Sequence, residues 1–363
     1  MKGMKKYFAV GIVLLLSFAG YYLSDDFSFD QIQDLTGALT NSNEEVQGTT
    51  TYSIQSEGDI EVFFCPDDDC ETIMLETMGL AQESLHCAFY ELSYPLIQDL
   101  VLEKYEHQDV ETQIVVDDHY LERFPYEKFV TPDRSGQMHN KFCIIDSQIV
   151  TTGSMNPTVN GITKNNNNLI IINSPELAAN YENEFQEMYT DLIFKKGDPV
   201  PTTNILLQTT NNEGIETEIE IENYFCPDDD CADHIVEELQ SAKKSIYFMT
   251  FSFTHDSIGN NILLKYEDGL DIQGVFEARQ AGSEYSKYHL FEYQELDITK
   301  DGNPNNMHHK TFIIDGETVI TGSMNPSNNG DKRNDENILI IHSKDIAKQF
   351  IEEFEKVKLE ALG

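Results

Sequence analysis

Apolar and polar positions along this chain follow one order, and they follow it twice. The first pass begins near residue 59 with an extended run, Val62-Phe-Phe64; the second begins with Tyr224-Phe225. A helix-like stretch comes next, clearest in 232–242, where Ile235, Val236 and Leu239 recur at helical spacing. Each pass continues with an apolar strand (84–92, 245–253), then an amphipathic helix ending near Tyr105 or Tyr266, then a strand at 112–116 or 272–276. After a loop of variable length come paired strands, 139–146 with 149–154 and their equivalents. A last apolar strand (169–172, 338–341) and a closing helix finish the pass. Strands alternating with helices predict an α/β sandwich in each half. Each half has roughly 150 residues, enough for its own buried core.

The rest of the chain frames these halves. Lys2, Lys5 and Lys6 precede an apolar run from Tyr7 to Leu23, and Ser17-Phe18-Ala19 offers a small-x-small cleavage site. Residues 1–23 are therefore expected to be a signal peptide or, uncleaved, an N-terminal membrane anchor; both put the remainder outside the cytoplasm. Residues 24–58, rich in Ser, Thr, Asn, Gln and acids, read as a polar linker. The expected domains are 59–195 and 216–363, joined by a linker at 196–215 that opens with Lys-Gly-Asp-Pro-Val-Pro.

The repeat also carries chemistry. Met138-His-Asn-Lys-Phe-Cys-Ile-Ile-Asp146 returns as Met307-His-His-Lys-Thr-Phe-Ile-Ile-Asp315. Each is followed by a tetrad, Gly153-Ser-Met-Asn156 or Gly322-Ser-Met-Asn325. Windows 138–157 and 307–326 agree at 13 of 20 positions. On a strand alternate side chains share a face, so His139 goes with Lys141, His308 with Lys310, Ser154 with Asn156 and Ser323 with Asn325. Asp146 and Asp315 fall on the opposite parity and are expected to support the fold behind the site. His309, also of opposite parity, is expected to be packed or solvated. Asn165 to Asn168 are expected to stand behind the site, and a lone Arg279 either reaches substrate or makes a surface pair.

A duplicated His-x-Lys with a downstream Gly-Ser-x-Asn resembles the phospholipase D superfamily. The resemblance implies two α/β sandwich domains about a pseudo-two-fold axis, a monomer that is an internal pseudo-dimer with its active site at the interface. It also implies phosphodiester chemistry through a phosphohistidine, without metal or other cofactor. The catalytic candidates are His139, Lys141, His308, Lys310, Asn156, Asn325, Ser154 and Ser323. One imidazole attacks phosphorus and the other serves as acid and then base, while lysine and asparagine donors hold the charged oxygens. Glu336 lies 28 residues after His308, and the matching position after His139 is Asn167. The resemblance implies orientation by the opposite half, pairing His139 with Glu336 and His308 with Asn167. His139 is then the expected nucleophile.

Charge and cysteines narrow the partners. With 64 acidic and 24 basic residues the formal charge is -40, which disfavours non-specific nucleic-acid binding and suits high salt. A phospholipid at a membrane surface is the favoured substrate, with nucleic acid as the alternative and an inactive scaffold behind both. Cys65-Pro-Asp-Asp-Asp-Cys70 recurs as Cys226-Pro-Asp-Asp-Asp-Cys231. Each loop is read either as a disulfide or as a metal loop of two thiolates and three aspartates. The disulfide is favoured because soft and hard ligands together suit no single metal. Cys87 and Cys143, in apolar runs, are expected to be ordinary core residues.

Overall fold

The computed structural model describes residues 53–107, 109–132, 136–195, 197, 204–210 and 216–362. The expected targeting segment 1–23, most of 24–58 and much of the 196–215 linker lie outside the described residues. Among the described residues no helix is long and apolar enough to cross a membrane.

The N-terminal half runs β1 (Ser53–Glu57), β2 (Asp59–Cys65), α1 (Cys70–Gly79), β3 (Ser84–Phe89), α2 (Pro95–His107) and β4 (Glu111–Val116). It continues with β5 (Lys141–Ile145), β6 (Ile149–Gly153), α3 (Val159–Thr163), β7 (Asn167–Asn173) and α4 (Pro175–Tyr189). The C-terminal half runs β8 (Asn204–Thr210), β9 (Glu216–Cys226), α5 (Cys231–Ser241), β10 (Ser245–Thr250), α6 (Asp256–Glu267), β11 (Asp271–Phe276), α7 (Lys287–Tyr293) and β12 (Asp297–Lys300). It ends with β13 (Lys310–Ile314), β14 (Thr318–Gly322), α8 (Asn328–Lys332), β15 (Glu336–His342) and α9 (Lys344–Leu362).

The sheet orders are β2-β7-β6-β5-β3-β4 and β1-β8-β9-β15-β14-β13-β10-β11-β12. The six strands of the first sheet have their equivalents in the same order in the second. Two segments that the sequence assigns to linkers, 53–57 and 204–210, are instead strands, and β1 pairs in parallel with β8. The chain thus starts its described course in the sheet of the other half. Side chains of α4 (Tyr181, Phe185) and α9 (Phe350, Phe354) share one buried core with the inner faces of both sheets, such as Phe142 and Ile313. Each half has a further core on its outer face. Ser174 caps α4 by accepting the Leu177 N–H, and Pro175 opens the helix where no N–H is needed.

Asp146 and Asp315 explain the ends of the motif strands. Both adopt a positive φ (53° and 56°) in the tight turn after β5 or β13. The Asp146 carboxylate accepts backbone N–H groups of Gln82, Glu83 and Ser84 at 2.8–3.0 Å, and Asp315 accepts those of Lys243, Lys244 and Ser245 at 2.6–3.2 Å. Burial raises the affinity of Asp146 for its proton, but the three amides outweigh it and hold the group below its ordinary value; Asp315 behaves likewise. A carboxylate depressed on folding stabilises above its unfolded pKa and loses that stabilisation as pH falls through the folded one. Asp146→Asn, which tolerates the same positive φ, should therefore cost about 1 kcal/mol at neutral pH, solvent screening included. In urea melts the gap between variant and parent should close below about pH 4, near the ordinary aspartate value; a gap independent of pH would contradict the assignment.

Cys65–Cys70 and Cys226–Cys231 are disulfides with Cα separations of 5.9 and 5.6 Å. Cys87 and Cys143 correct the expectation of ordinary core thiols. They are bonded to each other, because the β3–β5 register sets them directly opposite, with Cα atoms 4.1 Å apart.

Candidate active site

Each catalytic motif is fastened to the opposite half. The His139 N–H donates to the carbonyl of Asp335 at 2.9 Å, and the His308 N–H donates to that of Asn166 at 2.8 Å. These bonds hold the start of one motif against the strand entry of the other half, which brings both histidines to the shared axis. His139, Lys141, His308 and Lys310 are all buried. His139 feels the charges of both lysines, as does His308.

The two histidines are oriented unequally. His139 Nδ1 lies 2.7 Å from Glu336 Oε2, whose carboxylate also accepts the Ser323 hydroxyl (2.7 Å) and the Asn334 amide (3.1 Å). His308 Nδ1 lies 3.0 Å from the Ser154 carbonyl and 3.1 Å from Asn167 Oδ1. The Asn167 amide nitrogen donates to the carbonyls of Gly161 and Asn165, so its oxygen must face the ring. Acceptors alone face Nδ1 in both rings, so Nδ1 carries the proton and Nε2 faces the centre.

Electrostatics follow from burial. Desolvation, then Lys141 and Lys310, hold His139 well below its ordinary value; desolvation and the same lysines do so for His308. Burial brings Lys141 down to about 7 against the pull of Glu336 and Asp117, and holds Lys310 well below its usual range. Burial also pushes Glu336 up to about 7, opposed by Lys141. The Lys310 ammonium donates to the His308 carbonyl (2.8 Å) and lies 3.2 Å from His308 Nε2; Lys141 donates to the His139 carbonyl.

Asn156 and Asn325 each bury the side-chain oxygen without a hydrogen-bond partner. The serines differ from expectation. Ser154 and Ser323, grouped with the catalytic side chains in the sequence, are fully buried and hydrogen-bonded behind the centre, where Ser323 donates to the orienting Glu336. Each accepts the N–H of the residue after the orienting one (Asn168 or Asn337, both at 2.9 Å). Gly153 and Gly322 make that turn, at φ 127° and 147°, where a Cβ would sit 2.5 or 2.3 Å from the carbonyl oxygens of Asn168 and Asn337.

Other residues fall into place around this centre. His309 is buried between the Asn168 amide (3.2 Å) and Glu353 (3.4 Å), so it is packed. Asn168 and its equivalent Asn337 bond across the halves, Asn337 to Asn140 at 2.7 Å. Arg279 pairs with Glu277 and donates to the carbonyls of Pro304 and Asn305. Three groups were missed in the sequence. Tyr90 and Phe251 set ring edges on His139 and His308, with centroids 4.6 and 4.8 Å apart, and stand near the lysine ammoniums. Buried Asp117 accepts the Met138 N–H at 2.8 Å and so fixes the backbone ahead of His139. The only available signal was their equivalent place, one residue past a buried strand.

Two oriented imidazoles and two lysines at one buried centre define a duplicated histidine–lysine phosphodiesterase. The family model described as "Cardiolipin synthase, PLD-like domain" matches residues 74–189 and 235–358, and the chain belongs to that family. Among similar proteins, a Phospholipase D of Rickettsia typhi is 26% identical over 167 residues, covering 45% of this chain and 79% of that protein. The Mitochondrial cardiolipin hydrolase of Homo sapiens is 28% identical over 123 residues, 34% of this chain and 49% of the relative, about half its length. The structure of a phosphatidylserine synthase from Haemophilus influenzae Rd KW20 aligns over 82% of this chain and 85% of its own, with a TM-score of 0.60 and 13% identity. That likeness speaks to the fold alone.

Proposed function

We propose that the chain hydrolyses phosphodiesters through a phosphohistidine on His139, with His308 as the proton donor. The observation that carries this is the crossed and unequal pairing, a carboxylate on His139 and two neutral carbonyls on His308. A carboxylate accepting Nδ1–H stabilises the positive charge that grows on the ring as Nε2 attacks phosphorus. Neutral acceptors do this less, which leaves His308 the readier proton donor. In the first step the His139 N–P bond forms, the P–O bond to the leaving group breaks, and His308 gives that oxygen its proton. In the second, His308 takes a proton from water as the water oxygen attacks phosphorus, and the N–P bond breaks. Lys141, Lys310 and the amides of Asn156 and Asn325 donate to the non-bridging oxygens. An arriving phosphate anion favours the charged forms of the buried lysines and of His308, readying the acid when substrate is present.

For substrate we favour a phospholipid head group. The names of the relatives, phospholipase D and cardiolipin hydrolase, support it. So does the apolar segment 7–23, which suits a location outside the cytoplasm beside a membrane. A nuclease is the second reading, favoured by a cleft at the junction of the halves that is lined by His119 and Arg333 and by no carboxylate. Hydrolysis of phosphatidylcholine, cardiolipin, single-stranded DNA and duplex DNA, compared across salt concentrations, separates the two. Turnover only on DNA would overturn the lipid reading.

Two lysines beside the histidines disfavour a divalent cation at the reacting centre. Excess EDTA at 25 °C should therefore leave turnover within about twofold, whereas a metal-generated nucleophile would be lost with its ion. Complete loss restored by magnesium or zinc would contradict the mechanism.

A further inference from the structure

The outer face of the second sheet, under α5, carries a cluster that the reaction does not use. Along β15 the residues Ile338, Ile340 and His342 share this face, the first two inside the outer core. Glu336, at the reacting centre, lies six residues before His342, about 20 Å along the strand. His342 Nε2 lies 3.0 Å from Glu222 Oε1 on β9, and its Nδ1 lies 3.0 Å from the Thr318 hydroxyl on β14. Glu238 reaches the same spot from α5. Donor atoms of His342, Glu222 and Glu238 all lie within 4.8 Å of one another. An ion pair accounts for His342 and Glu222 but leaves Glu238 unexplained. That half-buried carboxylate makes no hydrogen bond or ion pair of its own, although it stands beside a second carboxylate.

The duplication shows that the fold does not need this cluster. Offsets of 161 and 169 put Thr77 at the position of Glu238, Asn173 at that of His342 and Ile149 at that of Thr318. Only Glu61, the equivalent of Glu222, is kept. The register is the same in both sheets, with Thr318 facing His342 as Ile149 faces Asn173. An imidazole, a second carboxylate and the hydroxyl behind the imidazole therefore occur together in one half and are all missing from the other.

We propose that His342 Nε2, Glu222 and Glu238 bind a zinc ion that pins α5 to β9 and β15. Zinc bonds of about 2.0–2.2 Å set tetrahedral donors about 3.4 Å apart, a spacing that half-buried side chains reach by small rotations. All three ligands are half-buried, so water can take the fourth position. An imidazole among the donors favours zinc over calcium or magnesium, which take oxygen ligands. On binding, the ion replaces the proton that Nε2 shares with Glu222. Nδ1–H then donates to the Thr318 hydroxyl, the kind of outer contact that fixes a ligating ring. The Tyr224 hydroxyl donates to the other oxygen of Glu222 and holds that carboxylate in place. At this distance from the catalytic histidines the ion contributes stability and no chemistry.

The test is calorimetric titration of zinc chloride into the full chain after EDTA treatment and desalting, in molar sodium chloride to screen the acidic surface. One saturable site per chain is expected, unaffected by excess calcium or magnesium, and zinc should raise Tm. His342→Asn, which installs the residue of the first half, should abolish that site. Thr318→Val, which removes only the outer contact, should weaken binding about 10–100-fold. His119→Asn, at the other place where carboxylates meet an imidazole, should leave the site intact. Melting without zinc shows whether each variant folds; if His342→Asn does not, Glu238→Gln should show the loss of binding. No saturable zinc site in the parent, a site unchanged in His342→Asn and Glu238→Gln, or one lost with His119 instead would overturn the proposal.

Discussion

His139→Gln should abolish turnover, with a loss of at least ~10⁴-fold, because no other group in the centre can take over covalent attack. His308→Gln should also stop turnover, but in a distinguishable way. With bis(p-nitrophenyl) phosphate the leaving group departs without an acid, so the first step survives in His308→Gln. The second step needs a base for water and does not. That variant should release a burst of about one p-nitrophenolate per chain and then stall, whereas His139→Gln should give no burst. A burst from His139→Gln and none from His308→Gln would reverse the two roles.

The second large effect concerns the orienting pair. Glu336→Gln keeps the size of the side chain and removes the charge that supports the His139 ring. A loss of about 10³-fold in turnover is expected, with substrate binding much less changed, by analogy with an orienting carboxylate in other histidine-dependent sites. The reciprocal change, Asn167→Asp, puts a carboxylate beside His308. It should raise the pKa of that ring and move the alkaline limb of the rate profile upward. Near-equal losses from Glu336→Gln and Asn167→Gln would mean that both residues only position a ring.

Much of this site was legible because the sequence states it twice. Parity along the motif strands placed His139 with Lys141, His308 with Lys310, and Asp146 and Asp315 behind them. The same parity misled for Ser154 and Ser323. It treats 153–156 as a regular strand, but Gly153 and Gly322 turn the backbone through a positive φ, and the hydroxyls swing toward the N–H groups of Asn168 and Asn337. The Cys87–Cys143 bond depends on the register between strands 56 residues apart, which periodicity does not set. β1 and β8 read as linkers because they hold few apolar residues, and β1 gains its backbone bonds only by crossing to the other half's sheet. Tyr90, Phe251 and Asp117 were invisible for a related reason, since their roles arise from which loop lies over which ring.

The most direct measurement is acid-free trapping of the covalent intermediate. Protein mixed briefly with substrate labelled in the phosphoryl group, quenched under alkaline denaturing conditions that spare phosphohistidine, is digested and mapped. Label on the peptide containing His139, and its absence in the His139→Gln chain, is the expected result. Label carried only by the peptide containing His308 would contradict the account.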